Sequence, residues 1–133
     1  MDGVILTKLN QIIHPKGDIY HAMKSSDIGY HGFGEAYFSN INQGEIKGWK
    51  QHKLMILNLV VVIGEVQFVI YDGEDFFEAN LSIKNYKRLT ISPGLWVAFK
   101  GIGETNMLLN LANTEHDPKE SSNLTLSKIK YSW

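Results

Sequence analysis

Residues 54–71 read LMILNLVVVIGEVQFVIY, and this stretch decides the fold. Its two halves are rich in Val, Ile and aromatic residues, which is typical of buried β-strands, and Gly64 divides them. We therefore predict two strands that meet in a hairpin at Gly64. The first half, Leu54–Ile63, contains Asn58 and is too short for a membrane-spanning helix of about 20 residues.

Short runs of the same kind continue on both sides of this centre. Asp72-Gly73 predicts the next turn, because Asp-Gly readily adopts the positive φ of tight hairpins. No segment sustains apolar residues at helical spacing for three turns, and only Lys84–Tyr86 is compatible with a single helical turn. The further predicted strands are Gly34–Asn40, Ile46–His52, Phe76–Ile83, Arg88–Ile91, Leu95–Lys100 and Met107–Ala112.

So many short strands in 133 residues predict an all-β fold with a single domain, residues 1–133. A β-barrel or a two-sheet jelly roll buries the strand edges best, and an immunoglobulin-like sandwich is the competing arrangement. The first 33 residues are less regular. We expect the polar segment Asp117–Ser127 to be a surface connection, and the aromatic segment Ile129–Trp133 to dock on the domain.

The composition argues against several classes of partner and location. A formal net charge of −1 leaves no excess of positive charge to neutralise the phosphates of a nucleic acid. The absence of cysteine excludes disulfides, thiolate metal sites and cysteine nucleophiles, and it fits a reducing compartment. Residues Met1–Lys8 lack the basic and apolar pattern of a secretory signal. We expect a cytoplasmic protein with no nucleic-acid or membrane partner.

Three segments carry the candidate chemistry. Gly44–Lys53 reads GEIKGWKQHK, and on an extended strand Lys50 and His52 point to the same face. Leu89–Phe99 reads LTISPGLWVAF, a Pro-Gly turn that leads into a strand. Upstream, Gly32–Tyr37 reads GFGEAY and places an acidic and an aromatic residue on one face of a predicted strand.

These segments resemble the dTDP-4-dehydrorhamnose 3,5-epimerase family and its smaller ketoisomerase relatives, which are cupin barrels acting on nucleotide-linked 4-keto sugars. The epimerase pattern is matched by Ile46–Trp49, after which Lys50 stands at the position of the catalytic histidine. The ketoisomerase relatives carry a second histidine followed by a lysine, and His52 and Lys53 match both. The resemblance spans about residues 32–118. It implies a cupin-type jelly-roll β-barrel and a homodimer.

The resemblance also implies an isomerase or epimerase of a nucleotide-linked 4-keto-6-deoxy sugar in polysaccharide or glycan biosynthesis. Epimerising a carbon next to a ketone needs a base, a group that holds the enolate oxygen, and an acid on the opposite face. His52 is the first candidate for the base, because the ordinary pKa of imidazole is about 6.5, and Lys50 is the second. No tyrosine occurs between Tyr86 and Tyr131, where the epimerases carry their acid. A non-catalytic nucleotide-sugar-binding or accessory protein is therefore the alternative.

Other side chains are candidates for binding the substrate. Lysines of the first segment are suited to a pyrophosphate through charge-assisted hydrogen bonds. Tryptophans offer flat rings for a base or a sugar, although core packing is their other common use. An acidic residue and a tyrosine on one strand face offer hydrogen bonds to the sugar or the base. The candidate substrate-binding residues are Lys47, Glu35, Tyr37, Trp49 and Trp96.

The sequence predicts no metal and no cofactor. Many cupins bind a metal through His-x-His on one strand and a further histidine after a Pro-x-Gly turn. Here Lys50 replaces the first of these histidines, and Ser92–Trp96 contains none. No Gly-rich phosphate-binding loop precedes a helical pattern either.

Overall fold

Twelve β-strands and two short 3-10 helices form the protein in the computed structural model, which describes all residues from Met1 to Trp133. The 3-10 helices are Pro118–Glu120 and Leu126–Lys128, and no helix is long and apolar enough to cross a membrane. The strands are β1 Val4–Lys8, β2 Gln11–Ile12, β3 Ile19–Tyr20, β4 Glu35–Asn40, β5 Ile46–His52, β6 Leu57–Ile63, β7 Glu65–Tyr71, β8 Phe76–Ser82, β9 Lys87–Ile91, β10 Trp96–Gly101, β11 Met107–Ala112 and β12 Ser121–Asn123.

The strands form two five-stranded sheets with a shared hydrophobic core. Sheet I has the order β1-β9-β6-β11-β4 and sheet II the order β12-β5-β10-β7-β8, while β2 and β3 form a separate hairpin. All the strand pairs are antiparallel. The core contains 14 buried apolar side chains, among them Leu59 and Val61 of β6 and Phe68 and Ile70 of β7. This architecture confirms the predicted all-β fold.

All the strands predicted between Gly34 and Ala112 are present in the structure. β5 and β11 begin and end at the predicted residues. The predicted turn after Tyr71 is confirmed by the pairing of Tyr71 with Phe76 in the β7–β8 hairpin. The sequence missed four short strands, β1, β2, β3 and β12. At Lys84–Tyr86 the chain forms a hydrogen-bonded turn between Ser82 and Asn85 and not a helical turn.

The predicted hairpin at Gly64 is wrong, because β6 and β7 lie in different sheets. β6 pairs with β9 and β11 in sheet I, whereas β7 pairs with β8 and β10 in sheet II. From β4 to β12 the chain changes sheet at every connection except the β7–β8 hairpin. Gly64 is therefore a corner of the barrel, where the two most apolar strands separate to line opposite sides of one core.

The N-terminal segment covers part of the outer face of sheet I. Arg88 on β9 is fully buried, and its guanidinium donates hydrogen bonds to the carbonyls of Ala22 (2.7 Å) and Ile28 (2.9 Å). It also lies 3.2 Å from the Asp27 carboxylate. Nδ2 of Asn58 on β6 donates to the carbonyl of Gly29 at 3.0 Å. These contacts fasten residues 22–29 across the β9–β6 half of the sheet.

The aromatic segment Ile129–Trp133 docks on the outer face of sheet II, as predicted. Ile129 is buried with Trp49, Val69 and Ala98. The Trp133 ring lies 6.2 Å from the Trp49 ring, measured between ring centroids. The C-terminal segment thus covers the outer side of β5.

Candidate active site

A cavity of about 280 Å³ lies between the sheets. Sheet I contributes side chains of β4, β6 and β11, and sheet II contributes side chains of β5, β10 and β12. The lining of the cavity contains both polar and apolar residues. The lining residues are Tyr37, Ser39, Lys47, Gly48, Lys50, His52, Leu57, Leu59, Val97, Phe99, Leu108 and Asn123.

An irregularity in β5 brings both lysines of this strand to the cavity. Val97 of β10 pairs with Lys50, and Phe99 pairs with Lys47, so two steps on β10 match three on β5. One extra residue in a strand is a β-bulge, which changes the face that the following side chains occupy. Without the bulge, Lys47 and Lys50 would lie on opposite faces, because side chains alternate along a regular strand.

Gly48 is required at this bulge because β10 approaches it closely. A Cβ added at Gly48 would lie 2.3 Å from the Cβ and 2.8 Å from the Cα of Ala98. A glycine inside a strand often marks such a close backbone approach. The Pro-Gly turn supports the far end of β5, where the Gly94 N–H donates to the His52 carbonyl at 2.8 Å.

His52 and Glu120 form a buried pair at the end of the cavity. The side chains of both residues are more than 90% buried, and Nδ1 of His52 is hydrogen-bonded to Oε1 of Glu120. The other carboxylate oxygen accepts the successive backbone N–H groups of Lys53 (3.1 Å), Leu54 (3.0 Å) and Met55 (3.3 Å). Consecutive backbone N–H groups that converge in this way form an anion-binding nest.

These contacts keep the Glu120 carboxylate charged. Burial opposes ionisation, but the hydrogen bonds from His52 and from the N–H groups of Leu54 and Met55 outweigh it and lower the pKa of Glu120 to about 2. A charged carboxylate only accepts hydrogen bonds, so Nδ1 of His52 carries the proton that it shares with Glu120. Nε2 of a neutral His52 is then the nitrogen with a free lone pair, as in a histidine that is oriented to act as a base.

Tyr37 reaches the cavity from sheet I, the sheet opposite His52. Its hydroxyl oxygen accepts a hydrogen bond from Nδ2 of Asn110 at 2.9 Å. The amide of Asn110 is itself oriented, because its Oδ1 accepts the N–H of Asn58 at 3.0 Å. Because Tyr37 accepts this hydrogen bond through its oxygen, its O–H remains free to donate a hydrogen bond to a group in the cavity.

The two lysines differ in their surroundings. The ammonium of Lys47 donates to the carbonyl of Asn40 at 2.6 Å, and its side chain is exposed. Lys50 is half-buried and takes part in neither of the two ion pairs of the protein, which join His52 to Glu120 and Arg88 to Asp27. The structure thus brings His52, Lys50, Lys47 and Tyr37, all of them singled out in the sequence, to one cavity.

The other three candidates lie elsewhere. Trp49 is 1% exposed and points to the outer side of sheet II, where Trp96 also packs against its cluster. Trp49 is next to the cavity-facing Lys50 on β5, so its side chain lies on the opposite face of the strand. The structure therefore shows Trp49 in a packing role. Oε1 of Glu35 accepts the backbone N–H of His116 at 3.0 Å, and Glu35 does not line the cavity.

Sequence reasoning missed Ser39, Asn123 and Glu120 among the polar residues of the site. Ser39 lies on the same face of β4 as Tyr37, and the alternation of side chains along a strand would have been enough to predict Ser39 as a site residue. Asn123 and Glu120 lie in the segment that we expected to be a surface connection. That expectation is wrong for β12, which pairs with β5 and places Ser121 opposite His52. No group of three or more His, Cys, Asp or Glu side chains is arranged to hold a metal ion.

Comparison with known protein families gives a match over most of the chain. The family model described as FdtA: WxcM-like, C-terminal matches residues 2–124. A search of curated proteins found no match.

Solved structures are similar over nearly the whole chain. A dTDP sugar isomerase from Desulfovibrio desulfuricans G20 is 28% identical, with a TM-score of 0.93 over 99% of this chain and 91% of that one. The sugar 3,4-ketoisomerase QdtA from Thermoanaerobacterium thermosaccharolyticum is 20% identical, with a TM-score of 0.82 over 92% and 88%. A dTDP-4-dehydrorhamnose 3,5-epimerase from Sulfolobus tokodaii is 20% identical, with a TM-score of 0.86 over 98% and 82%. These likenesses confirm the predicted cupin-type jelly-roll barrel.

Proposed function

Since the chain belongs to the family described as FdtA: WxcM-like, C-terminal, we propose that it is an isomerase or epimerase of a nucleotide-linked 4-keto-6-deoxy sugar. We place it in polysaccharide or glycan biosynthesis in the cytoplasm. The family and the similarity to a dTDP sugar isomerase support a nucleotide-sugar modifying role. The observation that carries the reaction type is the His52–Glu120 pair, which presents an oriented imidazole to a partly apolar cavity.

In the proposed reaction, Nε2 of His52 removes the proton from a carbon next to the ketone. The electron pair of the broken C–H bond forms a C=C bond, and the former carbonyl oxygen becomes an enolate oxygen. Return of a proton to the former carbonyl carbon moves the ketone, because the hydroxyl on the first carbon then becomes the new carbonyl and its proton passes to the enolate oxygen. Return of a proton to the first carbon from the other face inverts that carbon. Tyr37, on the opposite sheet, is the proposed proton donor for that other face.

The size of the cavity indicates which part of the substrate enters it. About 280 Å³ is at the lower limit for ligand pockets, which typically measure about 300–1,000 Å³. We therefore propose that the sugar occupies the cavity and that the nucleotide lies outside it. Lys47, which is exposed, is the proposed contact for the pyrophosphate.

Proton exchange in deuterated buffer tests this function. The protein is added to a panel of dTDP-linked 4-keto-6-deoxy sugars, and incorporation of deuterium next to the ketone is followed by NMR. We expect exchange with the wild-type protein and about 10²–10⁴-fold slower exchange with His52→Gln, because a positioned general base contributes that much. His31→Gln, which changes an exposed histidine away from the cavity, is the matched control.

The alternative is an accessory protein that binds a nucleotide sugar without converting it. It is favoured by Lys50, which stands where the epimerases carry histidine, and by the lack of a tyrosine between Tyr86 and Tyr131. Binding of the sugars with neither exchange nor conversion would support this alternative and contradict an isomerase.

We further propose that the protein is a homodimer that pairs through the uncovered half of sheet I. The N-terminal segment covers the β9–β6 half, but Phe38 on β4 is 66% exposed beside Leu109, its partner in the register of β11. A contiguous apolar patch on a sheet is typical of an interface between proteins.

Phe38→Ser is expected to convert the dimer to a monomer, because it places a polar group at the centre of this patch. Light scattering after size-exclusion chromatography would measure the change as a halved molar mass. Phe33→Ser is the matched control, since Phe33 is also 66% exposed but lies in the loop before β4. A wild-type protein that already has the mass of one chain would refute the dimer.

A further inference from the structure

Lys50 is a cation without a partner in the candidate active site. The two carboxylates that form ion pairs in the protein, Glu120 and Asp27, are engaged by His52 and Arg88. Lys50 nevertheless lines the cavity, two residues from His52 on the same strand and the same face. The cavity therefore holds an uncompensated ammonium group beside the proposed base.

The surroundings of Lys50 strengthen its interaction with a bound anion. Val97 is its register partner on β10, and Val97, Leu57, Leu59 and Phe99 also line the cavity. Charges interact more strongly beside such apolar groups than in bulk water, because the local dielectric constant is lower. A negative charge that develops in this space would find fixed counter-charges at Lys50 and at Lys47, which both line the cavity.

The proposed reaction creates such a charge at the sugar ring. When a proton leaves the carbon next to the ketone, the carbonyl oxygen becomes an enolate oxygen. Donors that are already aimed at a developing oxyanion usually supply the largest electrostatic contribution to catalysis. The ammonium of Lys47 already donates to the Asn40 carbonyl and its side chain is exposed, which suits it to a group outside the cavity.

We propose that Lys50 is the electrophile of the reaction, a role that rests on the proposed function and differs from that of a base. Its charged ammonium donates a hydrogen bond to the ketone oxygen and holds the enolate oxygen after His52 takes the proton. The electron pair of the C–H bond forms the C=C bond, and the π pair of the carbonyl moves to the oxygen that Lys50 contacts. A proton then returns to the former carbonyl carbon from His52, or to the other face of the first carbon from Tyr37, and Lys50 keeps all its own protons throughout.

The test compares Lys50→Gln, Lys50→Arg and Lys53→Gln with the wild-type protein. Lys53 is the matched control because it is an exposed lysine that follows His52 and lies outside the cavity lining. Turnover of a dTDP-linked 4-keto-6-deoxy sugar and deuterium exchange give kcat and KM, and titration with dTDP alone gives its Kd. Circular dichroism melting checks that each variant is folded.

We expect Lys50→Gln to lower kcat about 10²–10³-fold, as the loss of one oxyanion donor does, and to change the Kd of dTDP less than twofold. Lys50→Arg retains a cation and is expected to recover part of the lost rate. Lys53→Gln is expected to behave like the wild-type protein.

Three results would overturn this role while leaving the proposed function intact. An unchanged kcat in Lys50→Gln with a Kd for dTDP raised tenfold would make Lys50 a pyrophosphate contact. An adduct on Lys50 after borohydride reduction, found by mass spectrometry, would show an imine in place of a hydrogen bond. Loss of exchange in Lys50→Gln but not in His52→Gln would make Lys50 the base. A folded wild-type protein with neither turnover nor exchange on any of the sugars would refute the proposed function itself, and this role with it.

Discussion

Replacing Glu120 with Gln is expected to lower kcat for the proposed reaction by about 10²–10⁴-fold, although Glu120 does not touch the cavity. The carboxylate only accepts hydrogen bonds, so it holds the proton of His52 on Nδ1 and leaves Nε2 free. A glutamine that keeps its oxygen on the backbone N–H groups of Leu54 and Met55 turns its NH₂ group towards Nδ1. That arrangement favours the other tautomer, with the proton on Nε2, and the base is lost.

The measurement that separates this positioning role from simple loss of structure is ¹⁵N NMR of the imidazole. We expect the wild-type spectrum to show Nε2 unprotonated and the Glu120→Gln spectrum to show it protonated, with kcat reduced and KM nearly unchanged. Glu115→Gln removes the same charge from an exposed position and is the control. If Glu120→Gln kept the wild-type tautomer and rate, the pair would be structural only.

The same variant has an expected signature in acid. The pKa of Glu120 is lowered from 4.5 to about 2 in the folded protein, so its charged form stabilises the fold at pH values above about 4.5. That contribution is lost as the pH falls from about 4.5 towards 2, because the unfolded state then binds a proton that the folded state does not. Free energies of unfolding from urea titrations should fall less steeply over this pH range in Glu120→Gln than in the wild-type protein.

The sequence predicted β5, the strand that carries the candidate base, but not the partner of its histidine. The alternation of Lys50 and His52 is a local property with a period of two residues, so it could be predicted without knowledge of the fold. Glu120 lies 68 residues further along the chain, and only the pairing of Ser121 with His52 brings it to the site. Its neighbours are polar and resemble any surface segment, so composition gave no signal for a buried carboxylate.

The position of Lys47 shows a second limit of pattern reasoning. A regular strand would place Lys47 and Lys50 on opposite faces, and the bulge that brings them to the same face depends on the close approach of Ala98 at Gly48.

The same limit of pattern reasoning explains the wrong prediction of a hairpin at Gly64. The apolar pattern identified β6 and β7 correctly, but two strands beside a glycine have the same sequence pattern in a hairpin as at a corner between sheets.

Gly64→Ala is expected to destabilise the barrel more than Gly73→Ala, because strain and collision act together at this corner. Its φ is +77°, a conformation that costs a residue with a side chain about 1–2 kcal/mol. An added Cβ would also lie 2.1 Å from the Thr105 carbonyl oxygen and 2.3 Å from Oδ1 of Asn106. Overpacking of this kind typically costs a further 1–3 kcal/mol, roughly.

The collision falls on a buried hub of hydrogen bonds. Asn106 is 1% exposed; its Oδ1 accepts the N–H groups of Glu65 and Gly103, each at 3.0 Å, and its Nδ2 donates to the Ile41 carbonyl at 3.0 Å. Moving the Asn106 amide aside to admit a methyl group would weaken its hydrogen bonds to Ile41, Glu65 and Gly103 at the same time. The corner therefore has little room to relax, which is why we expect the two costs to add.

Gly73→Ala separates the two causes, because Gly73 has a φ of +105° in the β7–β8 turn but nothing within 4 Å of an added Cβ. Urea unfolding should show a loss of about 1–2 kcal/mol for Gly73→Ala, from strain alone, and about 2 kcal/mol more for Gly64→Ala. Equal losses at the two positions would mean that the corner relaxes around the methyl group. In that case the Asn106 hydrogen bonds, and not the absence of a side chain at Gly64, would fix the passage from sheet I to sheet II.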